Sequence, residues 1–234
     1  MILEQNKNII KEVRDKRYFS KVNRYIWKKY ANHKKSLFST TQIQVGPLIS
    51  TSWGQGCFYN EFLPSKIPMA NCSHVLVGCC GVAMAQILKY YKFPSKGQGV
   101  IFYQDPISYY KCNKSTCLEP SYGNLSINLS ESEYNYDMMP SKLSSRNYYV
   151  ASLMRDCSVS IYTNFGEKAS SSNMTNIFKS LMMYFNYSPK LSLIYRSKDN
   201  NPWINIIKNE ILSYRPVLYT AYDTIWGGHA FLID

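Results

Sequence analysis

The clearest helical pattern in the chain lies between Val82 and Tyr91. Small and apolar residues dominate there, with Ala83, Ile87 and Tyr90 on one face and Val82 and Gln86 beside it. Alanine is the strongest helix former, and Pro94 stops the run because the residue before a proline is pushed out of the helical region. Cys79 then falls at or just before the first turn. Upstream, residues 1–36 carry two apolar clusters (Ile9, Ile10, Val13; then Phe19, Val22, Ile26, Tyr30) against faces of Lys and Arg, the pattern of a basic helix. Helical periodicity is lost between residues 37 and 44, where Ser, Thr, Gly and Pro increase. This marks a boundary between a basic helical segment, 1–43, and a larger unit, 44–234.

Within the larger unit, Gln44–Ile49 reads as extended and residues 96–146 as loop-rich. Residues 147–157 read as a short helix with Val150, Leu153, Met154 and Cys157 on one side. Residues 159–165 are expected to be extended. A helix is expected from Met174 to Phe185, capped by Ser172 or Asn173. Residues 191–195 read as a strand. Pro202 opens a last helix, with Ile204, Ile207, Ile211 and Leu212 as its buried stripe. Residues 216–221 and 229–233 are apolar strands separated by Asp223, Gly227 and Gly228, a spacing that fits an antiparallel hairpin. Helices come first and strands last, so the expected class is α+β, a helical half packed on an antiparallel sheet.

Composition narrows this picture. A chain of 234 residues, 45% hydrophobic, suits one large domain or a domain plus a smaller segment. No apolar run reaches the roughly 18 residues of a membrane span. The first residues, MILEQNKNII, lack the apolar core and small-residue cleavage site of a secretory signal. The net charge is +12, but residues 1–35 hold 11 Lys/Arg against 3 Asp/Glu, so +8 of it belongs to one segment. A basic face for nucleic acid across the whole chain is not expected. Seven cysteines make an odd count, so they cannot all pair within one chain. Cys112 and Cys117, spaced C-x4-C without a nearby His or second Cys pair, do not make a zinc site. A local disulfide and two unpaired thiols both fit them.

A cysteine at the start of a helix is held near unpaired backbone N–H groups and the positive end of the helix dipole, which stabilise a thiolate. Its alternative fate is that of a small buried hydrophobe. A nucleophile also needs a base, and the chain has three histidines: His33 in the basic segment, His74 on the approach to Cys79, and His229. His229 opens an apolar strand directly after Gly227 and Gly228, which leave space for a ligand backbone. Gln55 sits between Gly54 and Gly56, in a turn that can present its side-chain amide. Taken together, Gln55, Cys79 and His229 supply an oxyanion donor, a thiolate and a base.

These residues and their surroundings resemble the streptopain family of cysteine peptidases over roughly residues 44–234. Gly46-Pro47-Leu48-Ile49, then Trp53-Gly54-Gln55-Gly56 and Tyr59-Asn60, look like the start of the family's mature enzyme. Gly78-Cys79, Ala83, Ala85-Gln86-Ile87, Lys89-Tyr90 and Pro94 look like its nucleophile helix. Tyr134-Asn135-Tyr136-Asp137-Met138 is similar to its middle motif, Phe165-Gly166 with the following serines to its substrate loop, and Gly227-Gly228-His229-Ala230-Phe231 to its histidine strand.

The resemblance implies a papain-like fold and a cysteine endopeptidase that needs neither metal nor organic cofactor. It implies Cys79 as nucleophile, His229 as its base, and the Cys79 N–H with Gln55 as oxyanion donors. Gly227, Gly228, Ser170 and Ser171 would line the substrate cleft. The implied partners are protein or peptide substrates and the chain's own pro-segment, of which residues 1–43 would be the end. The implied setting is secreted or at the cell envelope. Two departures stand out. Cys80 and Gly81 replace the Val and Ala common after the nucleophile, and the family's Asn-Trp-Gly-Trp motif after the histidine does not appear before Asp234. The second departure reads as a C-terminal truncation, and it leaves open an alternative function: a non-catalytic homologue acting as a binding or inhibitory protein.

Overall fold

The computed structural model describes residues 45–65, 72–112, 115–196, 200–223 and 227–234, and the basic segment 1–43 lies outside the described residues. Residues Val45–Asp234 form one unit, and its architecture is mixed α and β. Helix α1 (Cys79–Tyr91) is its centre. Eight of its residues, from Cys80 to Leu88, are buried. The pattern had predicted a single buried face, whereas a helix that is small and apolar around most of its circumference is one enclosed by the core. Lys92 ends it in the left-handed conformation at φ 47°, returning its N–H to the Lys89 carbonyl while Phe93 bonds Leu88.

Helix α2 (Tyr148–Ser160) packs against α1. Asn147 caps it, its side-chain oxygen accepting from the Val150 N–H at 2.9 Å. The expected helix 147–157 runs on to Ser160, and of the expected extended stretch 159–165 only Asn164 makes a β-bridge, to Ser171. Gly81 permits the close approach: a Cβ there would stand 2.5 Å from the Ser158 hydroxyl oxygen. That hydroxyl donates to the Val77 and Met154 carbonyls at 3.0 and 2.7 Å. The unusual glycine two residues after Cys79 is thus matched to Ser158. Helix α3 (Met174–Tyr184) is capped by Asn173, as the sequence allowed, and buries Ile177 and Leu181.

Residues 96–146 hold more regular structure than their composition predicts. Strand β1 (Val100–Gln104) pairs antiparallel with β4 (Asn124–Asn128), and β2 (Ser108–Cys112) with β3 (Ser115–Glu119). Residues 191–195, expected as a strand, form none, because the stretch finds no pairing partner there. In α4 (Asn200–Leu212), Pro202 sits in the first turn as expected, but the predicted stripe is only partly covered. Ile207 and Ile211 are half-buried, whereas Ile204 and Leu212 are 46% and 44% exposed. Strands β5 (Val217–Asp223) and β6 (Gly227–Ile233) form the predicted hairpin, with Ala221 opposite His229 and Thr220 opposite Ala230. The β6 strand packs on α1. Instead of one antiparallel sheet, the described residues thus contain three two-stranded ones. No helix among the described residues is long and apolar enough to cross a membrane.

The cysteines also resolve. Cys57 and Cys72 form a disulfide with Cα atoms 4.7 Å apart, a pairing the sequence reading did not anticipate. Cys117 is disulfide-bonded as well. Cys79, Cys80 and Cys157 are free thiols. The Cys57–Cys72 bridge closes a 15-residue separation, so replacing both cysteines by serine is expected to lower unfolding stability by about 3 kcal/mol. Urea unfolding of the oxidised variant against the parent checks this, and an unchanged midpoint would show the bridge to be dispensable.

Candidate active site

Three segments meet at the start of α1. Gly78 precedes the helix at φ 83°, ψ 143°, a conformation in which a side chain would be strained. Space is short there too, since a Cβ would lie 3.1 Å from the Ser170 carbonyl oxygen and 3.3 Å from its Cβ. No side chain caps the helix, and the first intrahelical bond is from the Val82 N–H to the Gly78 carbonyl. The N–H groups of the first turn thus remain directed at the space in front of Cys79.

The β5–β6 hairpin supplies the second segment. Ala230 is buried, and its N–H donates to the Cys79 sulfur at 3.4 Å. Because side chains alternate along a strand, the buried Ala230 leaves its neighbour His229 on the other face, with an exposed ring. That ring is near enough to the Cys79 thiol to favour its ionised form, and it lies nearly parallel to the Phe231 ring, 5.9 Å away. The structure therefore brings Cys79 and His229 together from positions 150 residues apart in the chain. His74 has another task, its Nδ1–H donating to the Leu63 carbonyl at 2.6 Å.

The Cys79 thiol is acidic, lowered from 9.0 to about 5. The largest cause is a hydrogen bond from the Cys80 thiol, opposed by partial burial. The Ala230 N–H and the charge and hydrogen bond of His229 lower it further. The same contact, with burial, drives the Cys80 thiol strongly upward, so the neighbour stays protonated as a donor. Cys157, enclosed in the core, is also pushed up and stays a thiol. Of these three free thiols only Cys79, at the helix start, is lowered.

Gln55 belongs to the third segment. Its carbonyl accepts from the Val77 N–H at 3.0 Å, two residues before Cys79. The segment is fixed further along, where the Asn60 amide donates to the His74 and Val75 carbonyls at 3.0 Å each, and by the Cys57–Cys72 bridge. Before Gln55, the Gln86 amide of α1 donates to the Thr51 carbonyl and hydroxyl oxygens at 2.8 and 2.9 Å.

The expected cleft residues are placed as follows. Gly227, at φ 81°, and Gly228 lead β6 into His229. The backbone of Ser170 lies against Gly78, but its hydroxyl turns inward, bonded to the Gly166 N–H and carbonyl at 3.0 and 3.2 Å. Ser171 is exposed and exchanges backbone hydrogen bonds with Asn164. The sequence reading missed the Ala230 N–H, because a backbone donor leaves no residue signature. Among the described residues, no cluster of three or more His, Cys, Asp or Glu is placed to hold a metal ion.

The profile of the Peptidase C10 family matches residues 53–234. Streptopain from Streptococcus pyogenes is 29% identical over 194 residues, covering 78% of this chain and 47% of streptopain. The thiol protease/hemagglutinin PrtT of Porphyromonas gingivalis is 28% identical over 189 residues, covering 78% of this chain and 20% of PrtT. This chain thus spans less than half the length of these relatives. Among solved structures, active wild-type interpain A, a cysteine protease of Prevotella intermedia, superposes with a TM-score of 0.65 at 26% identity, over 81% of this chain and 76% of the other. A prointerpain A fragment gives 0.64 at 29% identity, over 81% and 57%. The chain belongs to the Peptidase C10 family, the streptopain family of cysteine peptidases.

Proposed function

We propose that the protein is a papain-like cysteine endopeptidase in which Cys79 is the nucleophile and His229 its acid–base partner. One observation carries this reading: the strand that bears His229 sets the Ala230 N–H 3.4 Å from the Cys79 sulfur at the start of α1, where the thiol pKa is lowered to about 5. At neutral pH it is a thiolate, the form that attacks. It adds to the carbonyl carbon of the scissile peptide, and the carbonyl oxygen becomes an oxyanion. The Cys79 N–H and the Gln55 side-chain amide would hold that charge, and a donor of this kind is worth about 10²–10³ in kcat. His229 then protonates the leaving amine, leaving a thioester on Cys79. In the second half of the cycle it accepts a proton from water, which attacks the thioester and frees the acid and the thiolate.

The substrate chain would run past Gly227 and Gly228, whose missing side chains leave room for a peptide backbone, with the 164–171 loop as one wall. Residues 1–43 are proposed to be the end of a pro-segment. Secretion or an envelope location is proposed from the disulfides, since Cys57–Cys72 and the bonded Cys117 suit an oxidising compartment.

Incubating the chain with unfolded casein tests the activity, and a peptidyl epoxysuccinate tests the nucleophile. Casein fragmentation together with a covalent adduct on Cys79 is expected. An adduct on Cys79 without fragmentation would favour the binding-protein alternative, and labelling of Cys80 alone would overturn the assignment.

A further inference from the structure

The loop from Thr163 to Ser171 is gripped from two sides. On the nucleophile side, the Leu76 N–H donates to the Gly166 carbonyl at 3.0 Å, and Ser170 fills the space beside Gly78. On the other side the contacts come from the β1–β4 region. The Tyr103 hydroxyl donates to the Thr163 carbonyl at 2.7 Å. The two oxygens of Asp105 accept separately, Oδ1 from the Phe165 N–H at 3.0 Å and Oδ2 from the Tyr122 N–H at 2.9 Å. Glu119 Oε1 accepts from the Tyr122 hydroxyl at 2.8 Å and the Glu167 N–H at 3.3 Å.

Both carboxylates are buried, Asp105 at 1% exposure and Glu119 at 4%. Burying a carboxylate is costly unless its oxygens are bonded. Among the described residues no Lys or Arg pairs with Asp105, so backbone N–H groups meet its hydrogen-bonding needs. Packing at this point would be served as well by an apolar side chain. What a two-oxygen acceptor adds is a fixed relation between two backbone segments, one carrying Tyr122 and the other Phe165.

Building on the peptidase reading, we propose that Asp105 is a positioning residue for substrate binding. It clamps Phe165, and through it the 165–171 wall, to the β1–β4 region, and so sets the width of the cleft beside Gly78. Glu119 reinforces the clamp two residues later, at Glu167. Neither carboxylate takes part in bond making; their effect reaches the substrate through the wall.

The test is Asp105→Asn in the full chain. An amide keeps one acceptor and turns an NH₂ group toward the other N–H, so one bond is lost and two donors face each other. For a peptide substrate, KM is expected to rise about tenfold, the size of one lost charge-assisted hydrogen bond, with kcat changed less than about threefold. Alkylation of Cys79 by iodoacetamide, too small to need the wall, should keep its rate and so report an intact fold. Hydrogen–deuterium exchange should quicken at residues 165–171. Tyr103→Phe, which removes the single bond to Thr163, should move KM the same way by less, and it carries the test if Asp105→Asn does not fold. An unchanged KM would overturn the proposal, whether or not exchange quickens. So would parallel losses of kcat and alkylation rate in both variants. Failure of the unsubstituted chain to cleave any peptide is a different result, and it counts against the peptidase reading.

Discussion

Replacing Cys79 by alanine is expected to remove peptide hydrolysis, with kcat falling by about 10⁵–10⁶-fold, because the nucleophile and its partners act as a unit. The informative comparison is Cys80→Ala. Cys80 is adjacent in sequence and also free, but it is buried in the core behind the helix start and held protonated. Its proposed effect is indirect, because its thiol is the largest contribution lowering Cys79. Cys80→Ala should therefore retain turnover at neutral pH while the acid limb of the rate profile moves upward. The remaining contributions, from the Ala230 N–H and His229, would still favour the thiolate. Steady-state kinetics of both variants on one fluorogenic peptide across pH makes the distinction. Equal losses in the two would mean that the pair, rather than Cys79, is the functional unit.

Replacing His229 by alanine is the second large effect, a fall in kcat of about 10⁴-fold or more. Two losses combine. The leaving amine has no proton donor, and the thiolate loses the charge and hydrogen bond of the imidazole. His74→Ala is the matched control: its ring bonds the Leu63 carbonyl, so turnover should survive. Measuring kcat for both against the parent separates the two histidines, and a deeper loss in His74→Ala would reverse the assignment of the base.

The parts of the fold that were legible in the sequence are those fixed by local chemistry. The boundaries of α1 follow from its alanines and Pro94, the start of α3 from the capping Asn173, and the β5–β6 hairpin from two apolar runs around glycines. The parts that were not legible depend on distant partners. Strands β1 to β4 are five residues each, with Ser, Asn, Lys and Glu among the apolar positions, so their alternation is diluted. The Leu191–Tyr195 stretch is mostly apolar but finds no neighbour to pair with. The same holds at the site. Residue identity pointed to Cys79, His229 and Gln55, whereas the Ala230 donor, the Cys57–Cys72 bridge and the Asp105 clamp exist only once remote segments meet.

The central claim is that Cys79 rests as a thiolate paired with His229. The most direct measurement is the pH dependence of Cys79 alkylation by iodoacetamide, followed by mass spectrometry at that residue. A depressed thiol is ionised above its own pKa and loses that form as pH falls through it. The rate should therefore be flat across neutral pH and drop on acidification with a midpoint at about 5. A rate that instead climbs through alkaline pH, with its midpoint near the ordinary 9.0, would contradict the account.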